Sequence, residues 1–148
     1  MSDIHVFVSF DIEHDGDLYE LLLAHSRSPS SGFAVSAGSE RSKSTIAGSE
    51  RLRRSIREAD QVIVICGEHT EGSARVGAEL RIAQEEHKPY FLLWGRREMM
   101  CTKPIGAKRS EGMYSWTRQV LQDQIMLTLR KAASDQAAQT VRNTTRKP

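Results

Sequence analysis

The sequence predicts an α/β fold, a parallel sheet with helices on both faces. Three observations predict it. Apolar, β-branched runs recur at IHVFVSF (4–10), QVIVICG (61–67) and KPYFLLWG (88–95). Stretches whose apolar residues repeat at helical spacing separate these runs and follow the last one. The 148 residues suit one domain with one respectable core.

In the first run Ile4, Val6, Val8 and Phe10 share one face at period two and Phe7 takes the other, which is a strand. An acidic turn, DIEHDGD, follows. Asp15, Gly16 and Asp17 then open a helix with Leu18, Leu21, Leu22 and His25 as its apolar stripe, their carboxylates complementing the helix dipole. SRSPSSG (26–32) is a loop by composition, and FAVSA (33–37) is a short strand suited to a sheet edge. Residues 36–50, with five serines and two glycines, read as a long mobile connection of the kind that carries function. A helix is expected from about Ser49 to Ala59, with Leu52, Ile56 and Ala59 inward. Arg51, Arg53, Arg54 and Arg57 would face solvent and pair with Glu50 and Glu58.

The run at 61–67 is apolar on both faces, as in a strand covered on both sides of a parallel sheet. After the EHTEGS turn, residues 74–87 form a helix burying Val76, Leu80 and Ala83, with Ile82 at the edge. KPYFLLWG is the next strand. The stretch to Gly112 is irregular, with a short strand expected near Met99–Cys101. A helix from Met113 to Lys131 would present Trp116, Val120, Leu121 and Gln124. Residues 132–148 have almost no large apolar side chain and read as a basic, disordered tail beyond a domain of residues 1–131. Right-handed crossovers leave the flavodoxin-like strand order 2-1-3-4 as the expected topology, with a fifth strand left open. In that order the crevice lies at the carboxyl ends of the first and third strands. Its walls would be Ser9, Phe10 and Asp11 on one side, and Cys66, Gly67 and Glu68 on the other.

The formal net charge is +2. Arg130, Lys131, Arg142, Arg146 and Lys147 against Asp135 make residues 128–148 +4, so residues 1–127 carry 2 − 4 = −2. That argues against a nucleic-acid binder, which presents a basic face on its folded part. No apolar run is long enough to span a bilayer, and the start has no cationic region leading to a cleavage site. Cys66 and Cys101 form no metal spacing or disulfide framework, so a reducing, cytoplasmic setting is expected.

Most chemistry-bearing patterns fail on inspection. Asp11-x-Glu13-x-Asp15-Gly16 matches half of a calcium loop, but its twelfth position is Leu22 rather than a bidentate glutamate. A phosphoacceptor receiver would need an aspartate where Cys66-Gly67 stands. No glycine-rich phosphate cradle follows the first strand, the histidines never pair at metal spacing, and Ser9 has no partner histidine. Lys103 and Lys108 read as solvated lysines in a loop, although they could meet a phosphate as point charges. Glu79 is the carboxylate to examine hardest: it lies mid-helix after the third strand, near the crevice. A group there suits oxocarbenium stabilisation or capture of a ribose proton. Spacing alone pairs it with Arg75, four residues earlier, at the surface.

The set HVFVSFD, RRSIREADQVIVICGEHT, SARVGAELRIAQEEHKPYFLLWG and CTKPIGAK…MYSWT resembles the TIR-like proteins of the Thoeris anti-phage type, over roughly residues 4–125. The resemblance implies a flavodoxin-like fold and an NAD+-consuming enzyme that cleaves the nicotinamide–ribose bond. NAD+ would be a substrate, with no further cofactor and no metal. It also implies a phage-derived trigger, a cyclic ADP-ribose-type product and a separate effector that this messenger activates, and neighbouring copies completing the site in a homo-oligomer. The family's catalytic glutamate matches Glu79. Many TIR enzymes carry a tryptophan four residues before it, where this chain has Arg75, which would hold Glu79 ionised. The competing reading is a non-catalytic TIR-like module that binds partners through the same surfaces.

Overall fold

Alternation in the first strand sends its side chains into two separate apolar layers. The computed structural model describes residues 4–40 and 46–145. In β1 (Ile4–Ser9), Val6 and Val8 enter one layer together with Phe10, and Phe7 enters the other. The same division runs through β3 (Gln61–Cys66), where Ile63 and Ile65 face the first layer and Val62, Val64 and Cys66 the second. Every residue of β3 is buried, as its unbroken β-branched run requires. Each such side chain taken fully out of water contributes about 1.5–3 kcal/mol.

The sheet has five strands in the order β2-β1-β3-β4-β5, with β2 Phe33–Gly38, β4 Tyr90–Trp94 and β5 Met113–Ser115. All four pairings are parallel. The expected order 2-1-3-4 holds, β2 is an edge, and the open fifth position is filled. Helices α1 (Gly16–Ser26) and α4 (Arg118–Thr145) cover one face through Leu18, Leu22, Leu121 and Ile125. Helices α2 (Ile46–Glu58) and α3 (Ala74–Glu85) cover the other through Ile56, Val76 and Ala83. A 3-10 turn, Thr70–Gly72, precedes α3.

Several expectations give way. No strand forms at Met99–Cys101: the Met99 amide and Cys101 Sγ both turn back to the Arg96 carbonyl. The fifth strand is Met113–Ser115 instead, pairing Leu92–Trp94, and α4 starts only at Arg118. Three residues are too short a run to show a period in the sequence. Helix α2 begins at Ile46, so most of the serine-rich connection has shrunk to 39–45, of which 41–45 lie outside the described residues. Leu21 is 59% exposed despite its place on the α1 stripe. The arginines of α2 look across rather than along their helix. Arg53 pairs with Glu85 at 2.8 Å and Arg57 with Glu86 at 2.6 Å, because α3 lies alongside. Such exposed pairs contribute at most about 1 kcal/mol each.

Helix α4 continues through the segment read as disordered, as far as Thr145. Ala132, Ala133, Ala137, Ala138 and Gln136 are strong helix formers, and composition-based reading undervalued that propensity. Among the described residues no helix is long and apolar enough to cross a membrane.

Candidate functional site

Glu79 lies on the buried stripe of α3. Val76, Glu79, Leu80 and Ala83 follow the i, i+3, i+4, i+7 spacing that turns one helix face to the sheet, and all four are buried. The helix is capped by Ser73, whose hydroxyl accepts the Val76 amide at 3.2 Å. Glu79 is 0% exposed, so the surface-pair reading does not hold.

Three distant chain segments meet on its carboxylate. Ser9 Oγ, at the end of β1, donates to Glu79 Oε1 at 2.7 Å, and Ser39 Oγ donates a short hydrogen bond to the same oxygen. Ser39 is itself fastened: its amide donates to the Val8 carbonyl at 2.9 Å, and its hydroxyl accepts the Phe10 amide at 3.0 Å. The second oxygen, Oε2, has no hydrogen-bond partner among the described residues, and Arg75 Nε stands 3.5 Å from it. Burial pushes the Glu79 carboxyl up to about 7, against the pull of Ser39, Ser9 and Arg75. Burial thus opposes the ionisation that Arg75 favours.

Above this group opens a cleft of about 660 Å³ at the carboxyl ends of β1 and β3, the place a doubly wound sheet offers a ligand. Asp11, Glu13, Glu40, Glu68 and Glu71 line it, with Arg75 as the arginine. His14 and His69 also line it and stack at 3.9 Å, and His14 Nδ1 lies 2.8 Å from Asp11 Oδ2. Arg75 borders both the cleft and Glu79, whereas Glu79 itself lies beneath the lining.

The expected wall residues separate under this geometry. Ser9 and Asp11 stand at the sheet end, and Asp11 also ties its own turn by accepting the Glu13 amide at 3.0 Å. Glu68 lines the cleft. Phe10 is in the core, stacked on Tyr19 at 4.5 Å. Cys66 is in the opposite core, fully buried, with its thiol pushed up to about 12 by burial; a strand covered on both faces leaves it no route to the cleft. Gly67 has a packing role: a Cβ there would collide with the Asp15 carboxylate. Lys103 staples its loop, with Nζ donating to the Glu111 carbonyl at 2.8 Å and the Arg109 carbonyl at 3.3 Å. Among the described residues no His, Cys, Asp and Glu cluster is placed to hold a metal. Sequence reasoning missed Ser39, one of five serines in its segment and without a local feature to distinguish it.

A family model for the TIR-like domain of the Thoeris protein ThsB matches residues 7–97, more than half of the chain. The chain belongs to the Thoeris ThsB TIR-like family. No curated protein matches it. Membership agrees with the flavodoxin-like sheet described above and makes this a defence-related TIR-like protein. The matched span runs from β1 past β4, so it contains Ser9, Ser39, Arg75 and Glu79 of this TIR-like domain.

Proposed function

We propose that this TIR-like protein cleaves NAD+ at the nicotinamide–ribose bond and closes the remainder into a cyclic ADP-ribose-type messenger for a separate effector in anti-phage defence. The observation that carries the reading is the Glu79 carboxylate, set beneath an acid-lined cleft and oriented by two serine hydroxyls. As the glycosidic bond breaks, its electron pair leaves with nicotinamide, and positive charge develops on the ribose. An ionised Glu79 and the surrounding acids favour that charge in a water-poor site. A hydroxyl or adenine nitrogen of the same molecule then bonds to the anomeric carbon, its proton passing to a carboxylate of the cleft, and exclusion of water prevents hydrolysis.

Glu79 has no exposed surface, so contact with a ribose requires Arg75 to swing aside. Assembly of several copies, or an infection trigger, would supply that displacement. The test is nicotinamide release by assembled protein, with product analysis by mass spectrometry from infected cells. Glu79→Gln should lower release about 100-fold or more. Equal turnover by wild type and variant sinks the assignment.

The second reading, a non-catalytic interaction module, draws support from the same sealed carboxylate and from the acids, which repel a pyrophosphate. Silence in the release assay with and without phage, alongside intact partner binding, would favour it.

A further inference from the structure

A second hollow, of about 480 Å³, opens at the carboxyl ends of β4 and β5. Its lining combines Trp116 with Arg97 and Arg118, and Leu21 and His25 of α1 complete it; Trp94 borders it at the strand end, with its indole packed in the opposite layer. No acid is among the lining residues. Neither guanidinium has an ion pair or hydrogen bond among the described residues, and both are exposed. Ser115 and Thr117 add hydroxyls beside the first turn of α4. Thr117 Oγ1 accepts the Val120 amide at 3.1 Å, which leaves the Arg118 and Gln119 amides of that turn without intrahelical acceptors. Leu21 gains an explanation here: its exposed side chain lies on the stripe facing this hollow. His25 Nε2 is sealed from water without a hydrogen-bond partner among the described residues, and burial, then the Arg118 charge, lower the imidazole from its ordinary value.

An aromatic face, unpaired planar cations and hydroxyls together select a flat ring that carries a compact anion. We propose that this hollow binds a nucleoside monophosphate or a ligand of that class, its ring against the Trp116 indole and its phosphate on Arg97 and Arg118. The site stands apart from the Glu79 cleft and needs no turnover there.

Of the chain's two tryptophans, Trp116 packs on this side of the sheet and Trp94 borders the hollow, so a change in intrinsic emission reports on Trp116. The experiment titrates the full chain with adenosine monophosphate, adenosine or inorganic phosphate. Adenosine monophosphate should give saturable quenching, adenosine should bind at least about tenfold more weakly, and phosphate alone should leave emission unchanged. Arg97→Gln and Arg118→Gln should each weaken binding about ten- to a hundredfold, with circular dichroism unaltered. Glu79→Gln and Arg75→Gln should bind as wild type does. The proposal falls if quenching is absent, if phosphate matches the nucleotide, if the doubly substituted Arg97→Gln/Arg118→Gln protein retains affinity, or if Glu79→Gln abolishes the response.

Discussion

The cleft above Glu79 and the hollow beside Trp94 lie along the same sheet edge, yet their linings are opposite in charge. Asp11, Glu13, Glu40, Glu68 and Glu71 surround the first, whereas Arg97 and Arg118 flank the second with no acid among its lining residues. The strands beneath them are similar apolar runs, so the contrast comes from the loops that leave the strand ends. A sheet of this kind thus presents two oppositely charged linings at one edge without changing its core.

Arg96 stands between the two. Its guanidinium donates to Asp17 at 2.8 Å, to Asp15 at 3.1 Å and to the His14 carbonyl at 3.0 Å, on the side of the acidic cleft. Its own carbonyl accepts Trp94 Nε1 at 2.7 Å, together with the Met99 amide and Cys101 Sγ. One residue therefore fastens the acidic turn after β1 and the loop after β4.

The largest expected effect that separates the regions is the pH dependence carried by Glu79 beneath the acidic one. The folded state raises the Glu79 carboxyl from 4.5 to about 7, so between those values the native protein holds a proton that the unfolded chain has lost. Stability from this group is fully present at low pH and declines as pH rises through about 7, by about 3 kcal/mol in total. Urea unfolding across that range should show the decline in wild type, and Glu79→Gln should remove it. Equal pH profiles for the two proteins would mean that the carboxylate is not desolvated as described.

Next in size is Gly95→Ala, at the edge of the tryptophan hollow. A Cβ there would meet Leu18 Cδ1 at 2.7 Å and the Cys66 carbonyl at 2.9 Å, and a backbone oxygen is slow to give way. A loss of about 2–3 kcal/mol is expected in denaturant unfolding. Gly67→Ala should cost less, because its obstacle is the Asp15 side chain. Arg96→Gln comes third, at about 2 kcal/mol, since it leaves the buried Asp15 carboxylate without its cation. It should also disturb His14 more than tryptophan emission, because the Trp94 bond uses the backbone. Smallest is Ser39→Ala, at about 1 kcal/mol, read as a fall in thermal midpoint together with a further rise in the Glu79 titration.

How much of this was legible follows from the range of each signal. Val6 and Val8 against Phe7, and Val76, Leu80 and Ala83 along α3, are local periodicities that record which face is buried. Glu79 falls on that stripe too, so its burial was available in the spacing, although its four-residue distance from Arg75 suggested a surface pair. Met113–Ser115 was too short to carry a period, and Leu21 lay on a stripe wider than the layer it meets.

Local sequence pattern already expresses four of the five strands, most of the buried helix faces, the parallel order around β1 and β3, and the place of Glu79 on the α3 stripe. Each rests on a repeat or a chain connection that neighbouring residues already express. Which polar groups meet follows from the packed fold alone. Ser9 and Ser39 reach Glu79 across sequence separations of 70 and 40 residues, and Arg53 and Arg57 find α3 rather than their own helix. Those meetings depend on which elements the sheet order sets side by side. A buried carboxylate selects its partners from what that order brings within reach, because leaving its oxygens dry and unpaired costs more than any local preference returns.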